Sequence, residues 1–202
     1  MNKTDFVNIV VLGWIKSDLI RMRDTIRPDR SEVGNINFPL ALCTLSCVEY
    51  LGGFLIGKDQ KFTGNVEKYI NECFQHPDEY PVEILRDLIR NGLAHDYFPR
   101  GAISRNNKRP AIYRGRTYSI VLDAETMVND FIDSLDVFVE KLEDHKYEAR
   151  MQGLSEKIDE FKVKHKSFIE NLERQPRDDD QGTPSSGYPD SINTTTTDPN
   201  IE

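Results

Sequence analysis

One six-residue run concentrates the chemistry-bearing side chains of this chain: Arg90-Asn91-Gly92-Leu93-Ala94-His95. A histidine exchanges protons near neutral pH because its unperturbed pKa lies there. An arginine presents a planar fork of donors that fits phosphate oxygens. An asparagine orients either group by hydrogen bonding. Asn91 and His95 are four apart, so they share a helix face and continue the stripe of Ile84 and Leu88. Arg90 is five before His95, and on a straight α-helix the two point well apart. One such helix does not converge both on a single phosphate. A two-fold dimer does, because each copy of the helix supplies what the other lacks. The plainer reading is structural: Asn91 and His95 as a hydrogen-bonded pair at the foot of a core helix, with Gly92 allowing close packing.

The charge around this run is uneven. Between residues 86 and 116 stand Arg86, Arg90, Arg100, Arg105, Lys108, Arg109, Arg114 and Arg116 against only Asp87 and Asp96. The whole chain carries −8. Lysine and arginine supply phosphate contacts. Tyr97, Phe98, Tyr113 and Tyr118 are interleaved, and rings of this kind stack on bases. Arg100, Arg105, Lys108, Arg109, Arg114, Arg116 and Tyr97 are therefore the candidate RNA-binding residues. The competing reading is a solvated loop and hairpin whose aromatics cover the core, and Phe98 is assigned to the core.

The run at 90–95 resembles the signature of the HEPN superfamily of helical nucleotide-binding and ribonuclease domains: arginine, a polar residue that is often asparagine, three residues, then histidine. The order of helices is similar over about 1–145. The resemblance implies an all-α bundle acting as a homodimer with a composite site. It implies a metal-independent endoribonuclease of the toxin or phage-defence type, with no cofactor. In the implied mechanism the RNA 2′-hydroxyl attacks the adjacent phosphorus and leaves a 2′,3′-cyclic phosphate and a 5′-hydroxyl. His95 serves as general acid or base, Arg90 stabilises charge on the phosphate, and Asn91 orients one or the other. The resemblance equally admits a noncatalytic helical interaction module that binds a protein or nucleotide partner. An antitoxin or other protein partner fits either reading.

These residues need a scaffold, and hydrophobic periodicity predicts a mainly helical one. Thr4 or Asp5 caps a helix to about Ile26, with Val7, Val10 or Val11, Trp14, Ile15, Leu19 and Met22 on its core face. Residues 28–36 form a loop. A helix from about Phe38 to Ile56 is apolar nearly all round and belongs at the centre of the domain. Within it Gly52 and Gly53 allow close packing or mark its end. Further helices run over about 65–74 and 82–94, and residues 99–111 form a basic loop. Residues 111–113 and 117–121 form a small β-hairpin around Arg114-Gly115-Arg116. Asp123 caps a long helix carrying Phe131, Leu135, Phe138 and Leu142. The predicted domain is 1–145.

Residues 146–175 form a charged amphipathic arm, in which Leu154, Ile158, Phe161, Phe168 and Leu172 keep helical spacing. Such an arm packs on a partner or wraps its own domain, and Gly153 is a candidate break. Residues 176–202 read as a disordered tail, because one arginine stands against six carboxylates and almost nothing is apolar. That tail accounts for −5 of the net charge and leaves −3 for residues 1–175.

With 38% hydrophobic and 30% charged residues, the chain suits one compact domain. No apolar run approaches the roughly 20 residues that span a bilayer, and no signal peptide precedes Asp5, so a cytoplasmic protein without membrane contact is expected. Cys43, Cys47 and Cys73 are odd in number, which argues against a disulfide framework. Cys43, Cys47, Cys73 and His76 could form a metal cluster, but small core residues is the simpler account and no metal is expected. His145 and His165 read as solvated surface.

Overall fold

In a computed structural model of the chain, the described residues are 1–25, 37–58, 60–92 and 101–173. The predicted loop at 28–36, the tail at 176–202 and the segment holding His95, Tyr97, Phe98 and Arg100 lie outside them. Seven helices and a small three-stranded sheet are found among the described residues, which is the mainly helical architecture expected from the sequence.

Helix α1 comprises an α-turn Lys3–Asp5, a π-helical stretch Phe6–Lys16 and an α-segment Ser17–Thr25. Asn2, rather than Thr4 or Asp5, is its cap, and its side-chain oxygen accepts from the Asp5 amide at 2.8 Å. The π stretch also alters the predicted core face. An i→i+5 turn holds an extra residue, so apolar positions drift out of α-helical phase. Phe6, Val10 and Val11 turn inward, while Trp14, expected in the core, is 46% exposed.

Helix α2 (Asn37–Ile56) is the central element, with ten buried residues. By length and composition alone it is long and apolar enough to cross a bilayer, and 56% of its most apolar window is buried inside the protein. Helix α3 (Phe62–Cys73) packs closely on it, and Gly52 makes this approach possible. A Cβ there would lie 2.0 Å from the Asn65 carbonyl oxygen. Helix α3 starts three residues earlier than predicted and buries Phe62, Val66, Tyr69, Ile70 and Cys73, a helical stripe.

A 3₁₀ turn at Pro77–Glu79 leads to helix α4, which consists of an α-turn Val82–Leu85 and a π segment Arg86–Asn91. The sheet follows: β1 (Ala102–Ser104) pairs parallel with β3 (Val121–Asp123), and β2 (Ile112–Tyr113) pairs antiparallel with β3. The predicted hairpin is present with a shifted second strand. Tyr113 pairs with Val121 and Ile112 with Leu122, so residues 117–120 belong to the connection. The basic loop expected at 99–111 contributes the edge strand β1, whose Ile103 is buried.

Asp123 caps helix α5 (Ala124–Lys141) as predicted, and Phe131, Leu135, Phe138 and Leu142 are all buried. Tyr69 joins α3 to α5, with its ring 5.6 Å from that of Phe131 and its hydroxyl 2.9 Å from Ser134 Oγ. Helix α6 (Asp144–Lys164) runs through Gly153 without interruption, and α7 (Lys166–Glu173) follows. The chain divides into two units, Met1–Lys157 and Ile158–Glu202, so the boundary lies inside the predicted arm. The first part of the arm belongs to the first unit. Tyr147 is buried there, its ring 5.5 Å from Phe6 and its hydroxyl donating to the Met1 carbonyl at 2.7 Å.

Candidate functional site

Arg90 and Asn91 stand at the end of the π segment of α4. Leu85, Leu88 and Ile89 anchor this helix in the core. Arg90 remains at the surface, its side chain 45% exposed. Two neighbours hold it. Its guanidinium carbon lies 4.6 Å from the Phe62 ring centroid, a cation–π contact. Its Nη2 is 3.8 Å from Glu49 Oε1 on α2. Asn91, half-buried, donates from Nδ2 to Asp87 Oδ1 at 3.2 Å. Exposed ion pairs of this kind contribute little stability, so the Arg90 fork stays available to a stronger anion.

The straight α-helix assumed from the sequence is not what carries these residues. Over Arg86–Asn91 the turn is π-helical, and such turns recur at functional sites because they shift the phase of the side chains that follow. His95 itself, with Tyr97 and Arg100, lies outside the described residues.

The basic residues of 105–116 separate into two groups. Lys108, Arg114 and Arg116 are exposed. Arg105 is not, which corrects its place in the predicted patch: its side chain is 2% exposed. It donates from Nη2 to the Arg23 carbonyl at 2.6 Å and lies 3.8 Å from Glu125. It ties the loop after β1 to the end of α1. Arg109 is held by two carboxylates, Glu79 at 2.9 Å and the mostly buried Asp130. Burial opposes the charge on Arg109, but its bonds to Asp130 and Glu79 outweigh that and raise its pKa. Asp130 also accepts from the Tyr80 hydroxyl at 2.6 Å, and burial followed by this bond pushes the phenol pKa up. Arg109 thus closes a structural network between the 3₁₀ turn, the β-region and α5.

Asp123 organises the same region. Fully buried, its carboxylate accepts from the Glu125 and Thr126 amides, from the Asn106 and Asn107 amides and from Ser104 Oγ. It fixes the loop that presents Lys108 as well as the start of α5.

Glu49 also lines a surface groove with Ser46, Tyr50, Gln60, Asn65 and Arg150. Asn65 Oδ1 is buried there without a hydrogen-bond partner. Arg150 is buried against Gly53 and 5.9 Å from the Phe54 ring centroid, and burial holds its pKa below the usual arginine range. Sequence reading missed Glu49, Phe62 and Arg150 because they come from other helices. Only Asp87, four before Asn91, was legible as a partner by spacing.

The thiols sit apart in character. Cys43 is exposed, Cys47 half-buried and Cys73 buried, and burial pushes Cys47 and Cys73 each up to about 12. Among the described residues no three histidine, cysteine or carboxylate side chains gather as metal ligands would. In comparisons with known proteins, no family model, no curated protein and no solved structure matches the chain.

Proposed function

We propose that this chain is a HEPN-like, metal-independent endoribonuclease of the toxin or phage-defence type, acting as a homodimer in the cytoplasm. His95 takes the proton from an RNA 2′-hydroxyl or returns one to the departing 5′-oxygen. The 2′-oxygen forms a bond to phosphorus as the bond to the 5′-oxygen breaks, which leaves a 2′,3′-cyclic phosphate. Arg90 steadies the charge that builds on the phosphate oxygens. Asn91, braced by Asp87, orients the phosphate or the imidazole. Lys108, Arg114 and Arg116 supply exposed positive charge for the RNA backbone.

The observation that carries this reading is Arg90: an exposed guanidinium beside Asn91, at the end of the π-helical segment of α4, which is anchored in a mainly helical domain. Glu49 competes with a phosphate for that guanidinium. Glu49→Gln should therefore tighten single-stranded RNA binding several-fold, and Arg90→Ala should weaken it about tenfold, in line with a charge-assisted contact. Fluorescence anisotropy at fixed salt measures both. Unchanged affinity in both variants would mean that Arg90 does not meet phosphate.

A second reading has its own support. Arg90 is already engaged by Glu49 and Phe62, and the groove beside Glu49 offers Arg150 and the unpartnered Asn65 oxygen. On that reading the domain is a noncatalytic module that binds a nucleotide or protein partner. Binding without cleavage would select it.

A further inference from the structure

The second unit begins at Ile158, and from there the seam positions follow a three-four alternation: Ile158, Phe161, His165, Phe168 and, by sequence, Leu172. This is the spacing of a coiled-coil seam, with Ile158 and His165 at a and Phe161 and Phe168 at d. The helical phase is kept through the junction of α6 and α7. The His165 amide donates to the Phe161 carbonyl and the Ile169 amide to the His165 carbonyl, both at 3.0 Å. The seam is open to solvent. Ile158 is 55% exposed, Phe161 60% and Phe168 63%. Exposed aromatics on one helical stripe mark an interaction surface.

The charges flanking the seam tell which partner fits. Positions e and g border the seam and face the flanks of the opposite helix. Here they are Lys162 and Ile169 at e, and Lys164 and Asn171 at g. None is acidic. The acids Asp159, Glu160 and Glu170 fall at b, c and f, on the far side. Lys162 does reach back to Asp159 at 3.3 Å, an exposed pair that costs little to exchange. An antiparallel pairing with a second copy sets like positions, and so lysine against lysine, at the flanks. An opposing helix with carboxylates at its flanks meets attraction at each of those positions.

We propose that the face of Ile158, Phe161, His165 and Phe168 docks an amphipathic helix of another protein whose flanks are acidic. This inference does not depend on the ribonuclease reading.

Two synthetic peptides of about four heptads test it on the full chain, both with isoleucine and leucine at the seam. One carries glutamate at every e and g position and the other lysine. Anisotropy titration should show the glutamate peptide binding at least about tenfold more tightly, because several attractive pairs replace repulsive ones. Raising the salt should narrow that preference. Phe161→Glu should abolish binding while circular dichroism is unchanged, since the side chain is exposed. Lys162→Glu combined with Lys164→Glu should transfer the preference to the lysine peptide. Equal binding of both peptides, no binding of either, or binding that survives Phe161→Glu would overturn the proposal. So would light scattering that finds a dimer of the chain which Phe161→Glu dissociates, because a second copy would then be the occupant.

Discussion

Replacing Asp123 by alanine tests how the β-region and α5 are held together. The carboxylate accepts five hydrogen bonds in a fully buried position. Two of them cap α5, and losing such a cap costs about 1 kcal/mol. The Thr126 amide is buried, so leaving it unpaired adds about 1 kcal/mol. The Asn106 and Asn107 amides belong to exposed residues, and water replaces much of what they lose, so together they add about 1 kcal/mol. The expected destabilisation is about 3 kcal/mol. With a urea slope of about 2 kcal/mol per molar, the midpoint falls by roughly 1.5 M. Asp123→Asn keeps an oxygen for the cap but turns an amine towards the other donors, so its cost should be about half as large. Equilibrium urea unfolding followed by circular dichroism gives both values. A loss below about 1 kcal/mol for alanine, or equal losses for the two variants, would refute the account of Asp123 as a shared acceptor.

Gly153→Ala should stabilise the protein by about 0.5–1 kcal/mol, because the helix passes straight through it and a Cβ there meets nothing within 4 Å; thermal unfolding measures it, and destabilisation would contradict the uninterrupted helix. The melting temperature should also decline at alkaline pH. Cys47 and Cys73 keep their protons up to about 12 when folded, whereas an unfolded thiol ionises near its ordinary value. Their contribution is thus fully present below about pH 9 and is lost as the pH rises towards 12. A melting temperature flat across that window would show that the thiols are not protected.

Hydrophobic periodicity placed the helices that build the core, because burial selects a face irrespective of the partner. The stripe Phe131, Leu135, Phe138 and the cap Asp123 were readable for that reason. Trp14 was misplaced because two windings share one sequence alphabet. Nothing in Phe6–Lys16 announces a π turn, and only tertiary packing settles the phase. The sheet was half legible. Ile112-Tyr113 and Val121 showed strand character, while β1 in a basic loop depended on a nonlocal parallel pairing with β3. The candidate site divides in the same way. Arg90 and Asn91 could be picked out by type and spacing, but the partners that restrain Arg90 come from α2 and α3. Arg105 illustrates the limit of counting charges: its position in a basic run says nothing of the Arg23 carbonyl that draws it inside.

On the proposed function, this chain cleaves RNA through His95 and Arg90 without a metal. The most direct measurement incubates purified protein with end-labelled single-stranded RNA in excess chelator and resolves the products. Cleavage to fragments ending in 2′,3′-cyclic phosphate is expected, abolished in His95→Ala with the folded state intact, and strongly reduced in Arg90→Ala. An inactive parent protein, or cleavage that persists at full rate in His95→Ala, would contradict it.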